Sequence, residues 1–296
     1  DIVHGFMSGG NELALHAGRL SGAKTVWGIR VSDQDFSNYS TFRRAVYLAG
    51  APLSRFVDLI IANSSAGRAA HLDAGYAASR FIVIPNGIDV ERFSPDAEAG
   101  RRWRAANGLT AERFVIGCPA RLDPMKDHET FLRAAARLAP GDAGLCFVCI
   151  GDDEFGYGAT LRALSSSLGL GDAVLWLPAT RDVAGFYNGV DLLTSSSAFG
   201  EGFPNVLGEA MACGTPCATT PSGDAAVVVG DVGTVVPLRD PAALADAFRH
   251  YRGLEPAERA ALAVRARTRI CEHFTTARLV ERSSAALSTL VGREAP

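Results

Sequence analysis

The sequence has no run of 18 or more apolar residues and no excess of basic residues. Without such a run, no segment is predicted to form a transmembrane helix. Lys and Arg number 29 against 32 Asp and Glu, a formal charge of -3, so no basic field directs the chain to nucleic acid. The chain also starts without Met or a basic-then-apolar segment. These absences favour a cytoplasmic protein, with a peripheral contact at the inner face of the membrane left open.

Cysteine and lysine are both scarce. Six cysteines in 296 residues are too few for a disulfide scaffold, and their apolar surroundings indicate a reducing compartment. Cys146 and Cys149 have the C-x2-C spacing of zinc ligands, but they fall in a predicted buried strand, where positions three apart point to opposite faces. We therefore predict no metal site. Lysine occurs only at Lys24 and Lys126, which makes a lysine within a motif more informative than an arginine.

The length and the hydrophobic pattern indicate a two-domain α/β protein. A chain of 296 residues with 48% hydrophobic and 21% charged residues has the size of two globular domains. Short apolar runs alternate with amphipathic stretches, which is typical of parallel βα units. The predicted strands cover residues 2–4, 25–29, 58–62, 81–84, 114–118, 145–150, 174–177, 191–194 and 215–218.

Turn residues cluster at residues 85–96, and a new βα series begins at residue 114, so we place a domain boundary between them. The prediction is a Rossmann-like domain over residues 1–92, a second one over residues 93–272, and a carboxy-terminal helix over residues 273–296 that could pack back on the first domain. Because the first piece holds only about four strands and begins inside one of them, we expect it to lack its opening βα units.

The densest motif runs from residue 199 to residue 216 and contains two glutamates. Gly200, Gly202 and Pro204 interrupt any helix, so Glu201 is placed in a loop. Asn205 is a good helix opener, so Glu209 is placed one turn into a helix. The amides of a loop and of a helix N-terminus can bind an anionic group. The two glutamates on either side could accept hydrogen bonds from the hydroxyls of the same ligand. The alternative is a capping acid and a solvated surface acid.

A second motif, residues 120–129, carries two cations. Arg121 follows a predicted strand, and Lys126 precedes a helix that begins near Asp127. Both would stand at the carboxyl edge of the sheet, where α/β proteins bind ligands. A planar guanidinium and an ammonium can hold a diphosphate together without a metal. The alternative is a pair of surface cations.

These two motifs, with residues 84–89 before them, resemble the nucleotide-sugar half of the retaining glycosyltransferases of family 4. The E-x7-E spacing of Glu201 and Glu209, the serines before it and the Ala-Met-Ala-Cys-Gly-Thr-Pro sequence after it are specific to that group. The resemblance extends over nearly the whole chain. It implies the GT-B fold, in which two Rossmann-like domains face each other, with the amino-terminal one incomplete here.

The resemblance also implies roles for particular residues. Arg121 and Lys126 resemble the pair that holds the diphosphate, and Glu201 resembles the acid beside the donor sugar. Glu209 resembles the ribose ligand, while Gly202, Phe203, Asn205 and Val206 resemble the loop and helix start around the sugar and phosphate. The implied partner is a nucleotide diphosphate sugar, which is a substrate, and neither a cofactor nor a metal is implied.

The acceptor side departs from the family pattern. Where many members have histidine, this chain has Arg30, and two positions beyond His4 it has Phe6. His4, Gly9, Gly10 and Arg30 are the acceptor-side candidates. Residues 8–11 could also be a glycine turn with an Asn cap, without a ligand. The sequence does not distinguish between a saccharide, a lipid-linked sugar and a small molecule as the acceptor.

Other polar positions receive simpler interpretations. Asp152 and Asp153 are predicted to form a turn rather than a metal site. His128, His250 and His273 lie on polar helical stretches, so they are expected to be solvated or to cap helices.

The predicted function is transfer of a sugar from a nucleotide diphosphate sugar with retention of configuration and without a metal. Because no residue stands out as a covalent nucleophile, same-face attack assisted by the leaving phosphate is favoured over double displacement. Two alternatives remain at this point. One is a protein that binds nucleotide sugars without catalysis. The other is a nucleotide-sugar epimerase, which the paired glutamates Glu201 and Glu209 make less favoured.

Overall fold

The computed structural model describes residues 1–7, 9–32, 41–154 and 156–292. The chain divides into two compact units. Unit 1 comprises Asp1–Gly87, Phe199–Pro204 and the chain from Phe274 onward, and unit 2 comprises Ile88–Ala198 and Asn205–His273. Unit 1 is thus assembled from three separate stretches of sequence.

The described residues form ten strands. They are β1 (Ile2–Phe6), β2 (Lys24–Ile29), β3 (Leu59–Ala62), β4 (Phe81–Val83), β5 (Phe114–Pro119), β6 (Leu145–Ile150), β7 (Val174–Leu177), β8 (Leu192–Ser195), β9 (Cys217–Thr219) and β10 (Thr234–Val235).

Twelve α-helices connect and cover these strands in the described part of the chain. They are α1 (Gly10–Ser21), α2 (Thr41–Leu53), α3 (Ser65–Asp73), α4 (Ala97–Ala106), α5 (His128–Ala135), α6 (Gly158–Ser167), α7 (Val183–Gly189), α8 (Asn205–Ala212), α9 (Ala225–Val229), α10 (Pro241–Gly253), α11 (Pro256–His273) and α12 (Thr276–Leu290).

Unit 1 is built on a four-stranded parallel sheet in the order β1-β2-β3-β4. Residues alternate between the two faces of β2. Trp27 packs on one face with Leu15 of α1 and Ile60 of β3. Val26 packs on the other with Ile61, and leucines of α12 cover that face: Leu279, Leu287 and Leu290.

Unit 2 is built on a six-stranded parallel sheet in the order β10-β9-β8-β5-β6-β7. From β5 the chain first adds β6 and β7 on one side, then returns to add β8, β9 and β10 on the other. The direction of winding therefore reverses between β5 and β8. One face of the sheet is closed by three phenylalanines in mutual contact, Phe131, Phe147 and Phe248, whose ring centroids lie about 6 Å apart.

The predicted fold class, two parallel-sheet α/β domains, is confirmed. The bounds of β6 and β7 coincide with the predicted ones, whereas β9 begins two residues later and the two-residue β10 was not predicted. The structure draws the first boundary after Gly87, and it assigns Phe199–Pro204 to unit 1 although the sequence analysis placed that segment inside the second domain.

No helix among the described residues combines the length and the apolar character needed to cross a membrane.

Candidate functional site

The candidate site of unit 2 lies at the carboxyl ends of β5 and β8, where the winding reverses. In open α/β sheets, ligands bind in the crevice outside the strand ends at this reversal point. The loop after β5 carries Arg121 and Lys126, and the chain after β8 leads to α8, which carries Asn205, Val206 and Glu209. The topology therefore places Arg121 and Lys126 on the connection after β5, and Asn205, Val206 and Glu209 on the helix after β8, the two strands between which the winding reverses.

The loop after β5 is held in place by its neighbours. Its backbone is hydrogen-bonded to the end of β6 and to the turn that follows. Ala120 N donates to Ile150 O at 3.0 Å, and Leu122 N donates to Asp152 O at 2.8 Å. Gly151 makes this approach possible, because a Cβ there would lie 2.6 Å from the carbonyl carbon of Ala120. The site is thus built on fixed backbone on its β6 side.

The same loop is tied to the chain after β8. Ala198 N donates to Met125 O at 2.8 Å, and Ser196 Oγ donates to Lys126 O at 2.9 Å. Asp127 has a left-handed backbone with φ of 46° and caps α5 by accepting from Thr130 N at 3.1 Å. These bonds fix the backbone that carries Lys126.

The two cations differ in their surroundings. Arg121 is about half exposed and forms an ion pair with Glu154 at 3.3 Å. An exposed pair of this kind contributes about 0–1 kcal/mol, so a ligand phosphate can displace Glu154 at little cost. Lys126 is half-buried. Burial raises the pKa of the Cys118 thiol, and the charge of Lys126 partly opposes that shift. Burial lowers the pKa of His128, and Lys126 adds to that shift.

Glu209 lies one turn inside α8 and is positioned by a tyrosine. Tyr187 Oη donates to Glu209 Oε2 at 2.6 Å. Burial raises the pKa of Glu209, while the Tyr187 bond and the charge of Arg92 act in the opposite direction. Because Tyr187 fixes one carboxylate oxygen, the other can accept hydrogen bonds from a ligand. Asn205 and Val206 form the first turn of the same helix.

The structure assigns Glu201, Gly202 and Phe203 to unit 1. Gly202 packs so closely there that a Cβ would lie 2.5 Å from Asn63 Oδ1 and 2.6 Å from Arg30 O. Phe203 packs edge-on against Phe274 at 5.3 Å between ring centroids. The roles that the family resemblance implies for these three residues stay predictions.

Among the acceptor-side candidates of unit 1, Arg30 directly follows β2, whereas His4 lies in the middle of β1, which extends beyond the predicted strand to Phe6. Arg30 Nη1 donates to Asn86 Oδ1 at 2.6 Å, and its guanidinium lies over the Phe6 ring at 5.2 Å. His4 stacks on Phe6 at 4.3 Å, and its pKa is lowered by burial and then by Arg30.

The glycines of this side lie at the start of a helix. Gly9 precedes α1 with φ of 45°, Gly10 is the first residue of α1, and Ser8 lies outside the described residues. The structure thus brings Arg30 and His4 together and places the two glycines at one helix N-terminus.

The expectation for His128 is wrong. Its side chain is fully buried, and neither ring nitrogen has a hydrogen-bond partner in the described part of the chain. Burial lowers the pKa of His128 to about 4, and Lys126 adds to the effect. The helix α5 is short and buries six of its eight residues. The polar residues near His128 in the sequence therefore did not indicate that His128 is exposed. His250 and His273 are exposed.

The acidic turn after β6 is structural in the described part of the chain. Asp153 Oδ1 accepts from Gly158 N at 2.9 Å and closes the turn before α6, while Phe155 lies outside the described residues. Within the described ranges, no group of three or more His, Cys, Asp or Glu side chains could hold a metal.

Sequence reasoning missed Tyr187 and Asn86. Tyr187 lies 22 residues before the glutamate that it binds, and Asn86 lies 56 residues after Arg30. Neither spacing carries a periodic signal, because each pair is brought together by crossover connections of the sheets. The sequence analysis used the Asn-Gly turn at residues 86–87 only to locate a domain boundary, and it did not predict the hydrogen bond between Asn86 and Arg30.

Two family descriptions match the chain. Residues 1–92 match "Glycosyltransferase Family 4", and residues 113–251 match "Glycosyl transferases group 1". Together they cover more than half of the chain.

Curated relatives and solved structures agree with this. The D-inositol 3-phosphate glycosyltransferase of Saccharomonospora viridis is 34% identical over 196 residues, which are 62% of this chain and 44% of that protein. The same enzyme of Corynebacterium jeikeium is 33% identical over 203 residues, 64% of this chain and 48% of that protein. The chain thus spans about half the length of the curated relatives that it matches.

Among solved structures, Anabaena Alr3699/HepE in complex with UDP is 25% identical with a TM-score of 0.86, covering 98% of this chain and 79% of that one. The fold, the two matched family descriptions and these relatives lead to one conclusion: the chain belongs to the family 4-like glycosyltransferases of the GT-B fold.

Proposed function

We propose that the protein transfers a sugar from a nucleotide diphosphate sugar to an acceptor hydroxyl, with retention of configuration and without a metal or other cofactor. The observation that supports the proposal is that the Lys126 loop follows β5 and is bonded to the chain after β8, the strand that precedes the helix of Glu209. Membership of the family supports the reaction class.

The proposed donor is a nucleoside diphosphate sugar with Glu209 on the ribose hydroxyls. The Tyr187 bond holds that carboxylate in one orientation, so little freedom is lost when ribose binds. The Anabaena relative was solved with UDP, which makes uridine the first base to test. Arg121, after releasing Glu154, and Lys126 would contact the diphosphate together with the first amides of α8.

The proposed chemistry breaks the bond between the anomeric carbon and the terminal phosphate oxygen. The acceptor hydroxyl forms its bond on the same face, and its proton moves to the departing phosphate oxygen. Negative charge grows on the diphosphate as the bond breaks, so fixed cations and amides stabilise the transition state more than the ground state. Glu201 is the acid proposed beside the donor sugar.

The proposed acceptor side is the cluster of His4, Gly9, Gly10 and Arg30 in unit 1. The curated relatives are named for D-inositol 3-phosphate, while saccharides, lipid-linked sugars and other small molecules are also to be tested. We infer a cytoplasmic protein, because the six cysteines are free, five of them buried.

The test measures UDP binding by calorimetry and sugar release from UDP-glucose with and without a panel of acceptors, each also in EDTA. The proposal expects UDP binding and acceptor-dependent transfer that survives chelation. Binding with no transfer to any acceptor would instead favour a protein that only binds nucleotide sugars. Loss of transfer in EDTA, restored by Mg²⁺, would contradict the metal-free mechanism, and acceptor-free formation of an epimeric sugar would contradict transfer itself.

A further inference from the structure

Unit 1 contains a cavity of about 240 Å³ that neither the diphosphate motif nor the E-x7-E motif involves. It lies between the start of α1, the end of β2 and α3, and its polar lining includes Asn11, Glu12, Trp27, Arg30, His71 and Tyr76. Arg30, one of the acceptor-side candidates, is bonded to Asn86 and lies over the Phe6 ring. Pockets for drug-sized ligands measure roughly 300–1,000 Å³. This cavity therefore fits a single small ring rather than an extended molecule.

Two polar groups that line the cavity have no hydrogen-bond partner among the residues that the structure describes. Trp27 is 1% exposed, and its Nε1 is buried without a hydrogen-bond acceptor. Glu12 Oε2 is likewise buried without a donor. Burial raises the pKa of Glu12, and no described cation opposes that shift. Buried polar groups are nearly always hydrogen-bonded, so an N–H donor and a carboxylate acceptor at one cavity indicate a ligand.

His71 adds a second acceptor. Its Nδ1 lies 2.8 Å from Gly67 O, and a carbonyl can only accept, so Nδ1 carries the proton. Burial lowers the pKa of His71 and favours the neutral ring, so Nε2 keeps its lone pair. His71 can therefore act as a second acceptor through Nε2, beside the Trp27 donor and the Glu12 acceptor.

The walls that carry these groups are fixed. Asn11 Nδ2 donates to Gly28 O and Asn11 Oδ1 accepts from Gly28 N, both at 3.2 Å, which ties the start of α1 to β2. Tyr76 Oη donates to Tyr47 O at 3.0 Å, and the Tyr76 ring packs against those of Trp27 and His71. Aromatic walls with a few fixed polar groups are typical of small-molecule sites.

The polar groups distinguish between ligand classes. Arg30 is already bonded to Asn86 and stacked on Phe6, so Glu12 Oε2, which has no partner among the described residues, is the charge that a ligand would meet, and it would repel an anionic ligand. An ammonium group could donate to Glu12 and His71, but it has no lone pair for the Trp27 N–H. Vicinal hydroxyls both donate and accept, so a neutral polyhydroxylated ring can pair with all three groups.

We infer that this cavity is a subsite for a neutral saccharide ring, with Glu12, Trp27 and His71 as its hydrogen-bonding residues. The inference rests on the proposed function, since it makes the acceptor a saccharide that unit 1 binds without the donor. It is independent of the diphosphate-binding residues of unit 2.

The tryptophans allow a direct test. The chain has three, Trp27, Trp103 and Trp176, and the last two lie in unit 2, where their indole N–H signals serve as internal references. We would titrate the ¹⁵N-labelled chain with glucose, mannose and galactose, which cover both configurations at ring carbons 2 and 4. Glucosamine and glucose 6-phosphate supply a cationic and an anionic ring of the same size.

We expect at least one neutral sugar to shift the Trp27 indole signal and to leave the two references unchanged. Glu12→Gln keeps the side-chain volume and removes the charge, and it should weaken this binding by roughly tenfold or more, as expected for a charge-assisted hydrogen bond. A normal spectrum elsewhere and unchanged UDP affinity would show that the variant is folded.

Several results would overturn the inference: no shift of Trp27 with any neutral sugar, a shift with glucosamine or glucose 6-phosphate alone, equal shifts of all three indoles, or unchanged sugar binding in Glu12→Gln. UDP titration of the same samples separates the two proposals. No UDP binding together with a shift of the Trp27 signal by a neutral sugar would contradict the proposed function but not the subsite. UDP binding with no shift of the Trp27 signal would contradict the subsite alone.

Discussion

At the scale of single residues, Glu209 is the side chain whose environment most favours ligand binding. One carboxylate oxygen is held by Tyr187, and a carboxylate paired with ribose hydroxyls contributes on the order of 1.5–3 kcal/mol. We therefore expect Glu209→Ala to weaken UDP binding roughly ten- to a hundredfold, measured by calorimetry. Tyr187→Phe should weaken it less and in the same direction. The exposed Glu281→Ala is the control, and an affinity equal to wild type in Glu209→Ala would refute the ribose role.

The two lysines of the chain form a natural pair for testing the diphosphate site. Lys126→Ala should slow transfer by roughly a hundredfold or more, as for loss of one preorganised electrostatic donor. Lys126→Arg should recover part of the rate, because it restores the charge but not the compact shape of the ammonium. Lys24→Ala removes only an exposed ion pair with Asp58 and should leave the rate unchanged. Equal rates in Lys126→Ala and Lys24→Ala would exclude the assigned role.

His128 gives the protein a specific pH dependence of stability. Its pKa is about 4 in the folded state against an ordinary 6.5, so the unfolded chain takes up a proton first as the pH falls. The free energy of unfolding should therefore decrease as the pH falls from about 6.5 to about 4. Since neither ring nitrogen has a partner among the residues described, His128→Leu should remove this pH dependence without breaking a hydrogen bond.

The measurement is urea denaturation of wild type and His128→Leu at pH 7.5, 6 and 5. The difference in stability between the two proteins should change across this range in favour of the variant at low pH. Replacement of the exposed His250, His250→Leu, should leave the pH dependence of the free energy of unfolding as in wild type. A difference that stays constant with pH would show that His128 does not titrate on unfolding.

At the scale of elements, the site depends on how closely the loop after β5 approaches the end of β6. A Cβ at Gly151 would collide with Ala120, and such overpacking costs about 1–3 kcal/mol. Gly151→Ala should therefore lower stability and weaken UDP binding together, because it displaces the loop that carries Arg121 and Lys126. Gly141→Ala is the matched control, since no atom lies within 4 Å of its Cβ position. Full UDP affinity in Gly151→Ala would show that the loop position does not matter.

How far the sequence predicts the elements depends on the range of the interactions that form them. The strands β6 and β7 were predicted with their bounds, because continuous apolar runs end there at turn residues. The positions of Arg121, Lys126 and Glu209 followed from the same local signals. The burial of His128 and the pairing of Tyr187 with Glu209 depend on packing across the sheet, which local periodicity does not encode. Nor did any local signal show that residues 199–204 pack in unit 1 through Gly202.

At the scale of the whole molecule, each unit has its own core, and that of unit 1 depends on α12. Leu287 packs on the face formed by Val26, Ile61 and Ile84. Because Leu287 is only partly buried, Leu287→Ala should cost about 1–2 kcal/mol, below the range for fully buried leucines. Val280→Ala, on the exposed side of the same helix, should cost little.

Amide hydrogen exchange checks this prediction. In Leu287→Ala, exchange should accelerate in β2 and β3 of unit 1, while β5 and β6 of unit 2 keep their protection. Equal acceleration in both sheets would mean that the two units unfold together and that the cores are not energetically separate.

The assembly of unit 1 from three stretches has a consequence during synthesis. Translation produces β1 to β4 before unit 2, yet the leucines that cover Val26 and Ile61 leave the ribosome only with α12, which follows unit 2. Until then one face of the first sheet has no cover, while unit 2 is drawn from a nearly continuous stretch and can complete its core earlier. We therefore expect the unit made first to be the one that folds last, and its uncovered strands to be the surface on which a chaperone acts.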